Sequence, residues 1–370
     1  MKKKILFTAY NLDIGGIESA LINMLKVFDY DKYDVTLLLE KYEGIFIDSI
    51  PKDVHVEVYK IYDDSNVILR KVKNRIKLCK WIIKNYHKYD FAGCFATYSI
   101  PGSILVRYAS LNNALWVHSN YYYVYHENVK LVEQFFSQRS VDKFKKIVFV
   151  SNEARDKFNL IFPKLKSKTL VLNNILDYRE IIKKSKEKVL EKKPAGKLFL
   201  YVGRLDEESK RLSRLFESFS KINDKNTFLW IVGDGPSKDE YLSLVKDLKI
   251  DQRVKFLGKK SNPYPYILMC DIVVLTSDYE GFPVICMESI ILNKPFLSTV
   301  SISDKYINLS DYGFIVDKDP EKIYDIMNKF MKGELSIKNK LIYSQYQKKL
   351  ENDLFSLIEE ESIWNYVIVF

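Results

Sequence analysis

Gly196-Lys-Leu-Phe-Leu-Tyr-Val-Gly203 decides the fold, because it begins again in mid-chain what residues 4–28 have already done. It reads as a buried strand running into a glycine turn, with helical apolar spacing following over about 209–223. At the start of the chain, Lys4-Ile-Leu-Phe-Thr8 is the same kind of strand. Its loop ends at Gly15-Gly16, and Ile17, Ala20, Leu21, Met24, Leu25 and Phe28 then mark one face of a helix. Outward from that first strand, further strand-like runs lie at 35–39, 91–96, 114–118 and 146–151. Outward from the second they lie at 228–232, 254–257, 271–276, 295–298 and 314–316, with helices at 239–248, 264–269 and 282–292. Strands alternating with helices predict βαβ units and parallel sheets. A pattern that starts twice predicts an α/β chain of two doubly wound, Rossmann-like domains. The expected boundaries are 1–173 and 174–350, with 351–370 a C-terminal helix packing back on the first domain. Residues 177–194, rich in Lys and Glu without apolar periodicity, read as a linker or surface insertion.

Composition agrees. A chain of 370 residues is too long for one ordinary core. With 47% hydrophobic and 29% charged residues it has the profile of a soluble globular protein. Ile5–Ala9 is too short for a secretory apolar region and is followed at once by Asn11 and Asp13, and no stretch approaches the ~20 apolar residues of a membrane span. A cytoplasmic setting is expected. Cys79, Cys94, Cys270 and Cys286 are scattered without metal spacing, which argues for reduced thiols. The net charge of +10 is uneven: residues 1–173 hold 27 Lys and Arg against 18 Asp and Glu, the rest 31 against 30. Nucleic acid, an anionic membrane or a phosphorylated acceptor would suit such a half; a solvated Lys-rich surface is the plain alternative.

Open parallel sheets bind ligands beyond the carboxyl ends of their strands, which directs attention to the loops there. After the 271–276 strand comes Ser277-Asp-Tyr-Glu280-Gly-Phe-Pro-Val-Ile-Cys-Met-Glu288. Gly281 permits close backbone approach and Pro283 suits a helix start. The amides of Phe282 and Val284 would then offer an anion site for a diphosphate. Glu288, farther along the helix, could accept from the vicinal hydroxyls of a ribose, and Glu280 from those of a sugar on the diphosphate. Two unrelated carboxylates, one capping and one on the surface, are the alternative. Upstream, Gly203-Arg204-Leu-Asp-Glu-Glu-Ser-Lys210 places two cations in the turn after a parallel strand, suited to neutralising a departing nucleoside diphosphate. That is work a metal does elsewhere, so neither metal nor other cofactor is expected.

These segments carry a resemblance. Gly15-Gly16-Ile-Glu18, His118, Val150-Ser151-Asn-Glu-Ala, Asn173-Asn-Ile-Leu-Asp177, Gly203-Arg204-Leu, Gly233-Asp-Gly-Pro236, Val254-Lys-Phe-Leu-Gly258 and Glu280-Gly-Phe-Pro with Glu288 follow the order seen in retaining glycosyltransferases of family 4. The chain is similar to that family over roughly 4–330. The resemblance implies a GT-B fold, two Rossmann-like domains facing a cleft. It implies that Arg204 and Lys210 bind the donor diphosphate, that Glu280 meets the donor sugar and Glu288 the ribose, and that Gly15 and Gly16 approach the phosphates. It implies that His118 lies near the reacting carbon, where a lone histidine would otherwise be read as structural. It further implies a nucleotide-sugar donor, UDP by frequency in the family, and transfer with retention to a glycan or lipid-linked glycan in bacterial surface polysaccharide synthesis. The chain departs from the family at Lys210, one residue farther from its Arg than usual, with Arg211 as fallback. It departs again after Ser298, where a common Gly-Pro and Glu run is missing, and at Asn173-Asn174, which replaces Asn-Gly. A GT-B sugar-nucleotide epimerase and a non-catalytic accessory subunit are the rival readings.

The acceptor side is expected in the first half. Ile68, Val72, Ile76, Cys79, Ile83 and Tyr86 share one helical face over Val67–Tyr86, with Trp81 and Ile82 widening it. Eight Lys and Arg but no acid lie between Val67 and Tyr89. Such a helix can lie on anionic lipid, giving a peripheral place on the inner membrane face; a core-packed helix with a solvated Lys face is the alternative. Tyr121-Tyr-Tyr-Val-Tyr125 could stack on an acceptor sugar or simply pack. Nucleic acid is disfavoured, since no nucleic-acid fold accompanies the charge.

Overall fold

A computed structural model describes residues 1–13, 15–63, 65–301, 306–337 and 339–360. The residues Ile302–Asp304 in the loop after Ser298 and the apolar end Ile363–Phe370 lie outside them. The chain forms two compact units, Met1–Leu176 with Gln347–Phe370, and Asp177–Tyr346.

The first unit is a parallel sheet of β1 (Lys3–Ala9), β2 (Tyr33–Leu39), β3 (His55–Val58), β4 (Phe91–Cys94), β5 (Asn113–Val117), β6 (Lys146–Phe149) and β7 (Thr169–Val171). Its order is β3-β2-β1-β4-β5-β6-β7. Central strands sheltered on both faces read as continuous apolar runs, and β1 and β5 do so. At Gly93 a side chain is impossible for packing reasons: a Cβ would stand 2.7 Å from the Phe7 ring and 2.9 Å from Trp116. Those rings meet edge to face at 5.9 Å across the gap, a contact that adds about 1 kcal/mol to the burial of each. β3 escaped the sequence reading because it is an edge strand with His55, Glu57 and Val58 exposed, so it lacks an apolar run.

The helix Val67–Asn85 starts where Asn66 accepts from the amides of Ile68 and Leu69. Its packed face differs from the expected one. Leu78 and Trp81 lie against the core and Asn85 is buried, while Ile68, Val72, Ile76 and Ile83 are exposed. Trp81 thus belongs to the side opposite Ile76 and does not widen its stripe.

The chain's last described helix, Tyr343–Glu359, begins earlier than expected and covers part of the first unit. Phe355 stacks on Tyr33 at 5.3 Å and meets Phe28 edge-on at 5.4 Å. The Asn112 side chain donates to the Ile358 carbonyl at 3.0 Å, and Lys146 pairs with Glu360 at 3.2 Å.

The second unit holds β8 (Lys197–Val202), β9 (Thr227–Val232), β10 (Val254–Gly258), β11 (Ile272–Leu275), β12 (Phe296–Ser298) and β13 (Phe314–Ile315), all parallel, ordered β10-β9-β8-β11-β12-β13. The stretch read as a linker contains a helix, Tyr178–Lys184, capped by Asp177 and anchored by buried Ile181. Seven residues were too few for the apolar period to register. Both sheets are therefore Rossmann-like, each with one point where strand order reverses.

Candidate functional site

In the second unit the reversal falls between β8 and β11, the place where such sheets receive ligands. The loops leaving these strands carry Gly203, Arg204 and Lys210 on one side and Glu280 and Gly281 on the other. They are stitched together: Thr276 donates from Oγ1 toward the carbonyls of Lys210 and Arg211, both at 3.2 Å, and the Asp278 amide donates to Ser209 O at 2.8 Å. Beside them, the Gly203 amide donates to Val232 O at 3.0 Å. Gly233 has φ +148°, and a Cβ there would lie 1.8 Å from Gly203 O. Only glycine lets the β9 loop press against the β8 turn.

Lys210 Nζ sits 2.6 Å from Glu280 Oε1, and the Ser277 hydroxyl donates to the same oxygen at 2.6 Å. The two expected ligand groups thus hold each other, with side chains 22% and 13% exposed. Arg204 differs. Its carbonyl accepts from the Tyr201 hydroxyl at 2.8 Å, and its exposed guanidinium has no acidic partner among the described residues. Arg211, the fallback for Lys210, is engaged elsewhere: Nε lies 2.7 Å from Asp278 Oδ2. Asp278 also meets Arg214 at 2.8 Å and Lys318 at 3.7 Å. Burial alone would raise its carboxyl, but hydrogen bonds from Arg214 and Arg211 outweigh that and hold it below the ordinary carboxylate value. The sequence reading missed this hub, although Asp278 stands only two residues before Glu280.

The helix after Gly281 begins at Val284, with Pro283 at its cap. Phe282 lies outside it, and the Val284 amide donates to Phe282 O at 2.9 Å. One of the two amides expected to meet a diphosphate is therefore already engaged. Glu288 keeps partial exposure, yet burial raises its carboxyl to about 8, and a hydrogen bond with Tyr264 offsets only part of that. At neutral pH it is a carboxylic acid, able to donate as well as accept. No sequence signal pointed to Tyr264.

In the first unit the reversal falls between β1 and β4. Gly15 caps the helix Gly16–Leu25; a Cβ on Gly16 would meet nothing within 4 Å, but one on Gly15 would run into the Glu18 carboxylate, which folds back over this helix start. His118 follows β5 and is 7% exposed. Neither ring nitrogen finds a hydrogen-bond partner among the described residues. Burial pushes its imidazole down to about 3, offset in part by the Phe95 backbone, so the ring is neutral. His55, His87 and His126 are exposed. The tyrosine run divides: Tyr121 stacks on Phe135 at 4.1 Å and Tyr125 packs at 5.8 Å from it, whereas Tyr122 and Tyr123 lie under Lys157.

Two Asp-x-Asp sequences occur, at Asp29–Asp31 and Asp317–Asp319. Asp29 pairs with Lys32 and Asp317 with Lys322. Among the described residues no group of three His, Cys, Asp or Glu is placed to hold a metal ion, and no helix is long and apolar enough to cross a membrane.

Residues 182–349 match the family model described as glycosyl transferases group 1. A Campylobacter jejuni protein, N-acetylgalactosamine-N,N'-diacetylbacillosaminyl-diphospho-undecaprenol 4-alpha-N-acetylgalactosaminyltransferase, is 31% identical over 153 residues, 41% of this chain and 40% of that one. The lipopolysaccharide 1,6-galactosyltransferase of Escherichia coli K12 is 27% identical over 172 residues, 43% of this chain and 48% of its own. The chain thus spans less than half the length of these curated relatives. The crystal structure of Anabaena Alr3699/HepE in complex with UDP superposes with a TM-score of 0.78 at 17% identity, covering 97% of this chain and all of that one. Segment 182–349 matches glycosyl transferases group 1, and the chain has the GT-B fold.

Proposed function

We propose that the protein is a retaining, metal-independent glycosyltransferase that moves a sugar from a UDP-sugar to a glycan or lipid-linked glycan acceptor in surface polysaccharide synthesis. One observation carries the reading: at the strand-order reversal of the second unit, exposed Arg204, without an acidic partner among the described residues, shares a loop with Lys210, which Glu280 meets from the neighbouring loop. Support comes from the group 1 match over this region, from a similar structure that holds UDP, and from relatives named for lipopolysaccharide and undecaprenol-linked transfer.

In this reading the bond between the anomeric carbon and the β-phosphate oxygen breaks. An acceptor hydroxyl oxygen bonds that carbon on the same face, and its proton passes to the leaving phosphate. Arg204 and Lys210 stabilise the charge that grows on the diphosphate, which accelerates transfer because the charge is greatest in the transition state. Glu280 holds the sugar once Lys210 turns to phosphate, and Glu288 holds the ribose. Gly203, Gly281, Phe282, Pro283 and Val284 shape the backbone around the donor. In the first unit, Gly15 and Gly16 admit phosphate once the Glu18 carboxylate swings off the helix start, and His118 acts as a neutral hydrogen-bonding group. An anionic inner-membrane surface, met by Val67–Tyr86, completes the set of partners.

Purified protein screened against nucleotide sugars should hydrolyse a UDP-sugar slowly without acceptor, undiminished by a chelator. Arg204→Ala should lower turnover far more than UDP affinity. Equal losses in both, or activity abolished by chelator and restored by manganese, would reject the assignment.

A further inference from the structure

The helix Val67–Asn85 has two apolar faces, and the fold uses only one. Leu78 and Trp81 serve the core. At about 100° per residue, Ile68, Val72, Ile76, Cys79 and Ile83 fall within roughly 80° of one another on the opposite side. Ile68 is 76% exposed, Val72 49%, Ile76 51% and Ile83 79%. The same spacing sets Lys80 and Lys84 along one border of this stripe, and Lys71 and Arg75 along the other.

Single exposed aliphatics are ordinary, but a continuous stripe over four turns is not. Core packing cannot account for it, because the core lies behind the helix. A second copy of the chain fits poorly. Two stripes laid together would bring the bordering Lys71, Arg75, Lys80 and Lys84 of each copy against one another, with no acid between Val67 and Tyr89 to meet them.

We infer that this stripe is the face on which the protein lies on an anionic membrane. The aliphatic side chains enter the boundary between headgroups and acyl chains, and the flanking Lys and Arg reach outward to the phosphates. The inference deepens the proposed function and rests on it for the reason a membrane is wanted, namely a lipid-linked acceptor. Lipid contact itself is independent of catalysis.

Cys79 supplies the probe. It is exposed within the stripe, and the other three cysteines are buried. Full-length protein carrying an environment-sensitive fluorophore on Cys79 is mixed with vesicles of phosphatidylglycerol and phosphatidylcholine, or of phosphatidylcholine alone. The expected result is blue-shifted emission and co-sedimentation with the anionic vesicles only, weakened by 0.5 M salt. Binding should fall about tenfold for each of Ile76→Ser and Ile83→Ser, half the full transfer of one such side chain. Lys80→Glu with Lys84→Glu should abolish it while leaving thermal melting unchanged. Failure to bind anionic vesicles, equal binding to neutral ones, or a stripe-dependent dimer without lipid overturns the inference. Nucleotide-sugar hydrolysis measured on the same samples separates the two ideas. Hydrolysis without vesicle binding overturns the membrane face alone, and vesicle binding without hydrolysis of any nucleotide sugar overturns the proposed function alone.

Discussion

Replacing Glu288 with Gln takes one proton out of the folding equilibrium and keeps a hydrogen-bonding side chain of the same size. In the folded protein burial raises the carboxyl from 4.5 to about 8, whereas in the unfolded chain it ionises near its ordinary value. Between those limits the folded state holds a proton that the unfolded state has released. Stability therefore declines as pH rises through the window and levels off above it. At ~1.4 kcal/mol per pH unit the whole interval would amount to about 5 kcal/mol. Water reaches this partly exposed carboxyl, so roughly 2 kcal/mol is the better expectation. Glu288→Gln cannot ionise. Its stability relative to the native protein should improve by roughly 2 kcal/mol between pH 5 and pH 8.5, about 4–8 °C in melting temperature for a unit of this size. Parallel thermal scans of both proteins across that range measure it, and the difference cancels every other titrating group. A difference that stays flat, or grows toward low pH, refutes a protonated Glu288.

Gly233→Ala forces a methyl into the Gly203 carbonyl at a backbone angle that suits glycine; a loss of about 2–4 kcal/mol in urea unfolding is expected. Glu280→Gln leaves Lys210 without its ion pair, so calorimetry should find UDP bound about tenfold more tightly while sugar transfer falls. Asp278→Ala removes the carboxylate that Arg211 and Arg214 share, and should lower the melting temperature and weaken UDP binding together. Phe355→Ala removes the ring that stacks on Tyr33, with an expected loss of about 2–3 kcal/mol and faster proteolysis near the C-terminus.

The parts of the fold legible in the sequence were those with a strong period or a long apolar run. Strands β1, β5, β8 and β9 are sheltered on both faces and announce themselves. Edge strand β3 and the seven-residue helix Tyr178–Lys184 do not, because one is half solvated and the other has scarcely two turns. At the site, residue types and loop positions were readable: Gly203, Arg204, Lys210, Glu280 and Glu288 all fall on the loops or the helix beside the strand-order reversal. Pairing was not. Nothing in the spacing of Lys210 and Glu280, seventy residues apart, reveals that they meet at 2.6 Å, or that Tyr264 reaches Glu288. The helix Val67–Asn85 teaches the same lesson: its stripe was visible in one dimension, but which stripe faces the core depends on neighbours that only tertiary structure supplies.

The first unit is completed by residues made only after the whole of the second. Leu354, Leu357 and Ile358 are buried in it, while everything from Asp177 to Tyr346 belongs to the other unit. On the ribosome, the middle of the chain can finish folding while the beginning still waits for its closing helix. The order of maturation is then the reverse of the order of synthesis. An early-made β-sheet must stay soluble through the synthesis of some 170 further residues before Phe355 covers Phe28 and Tyr33.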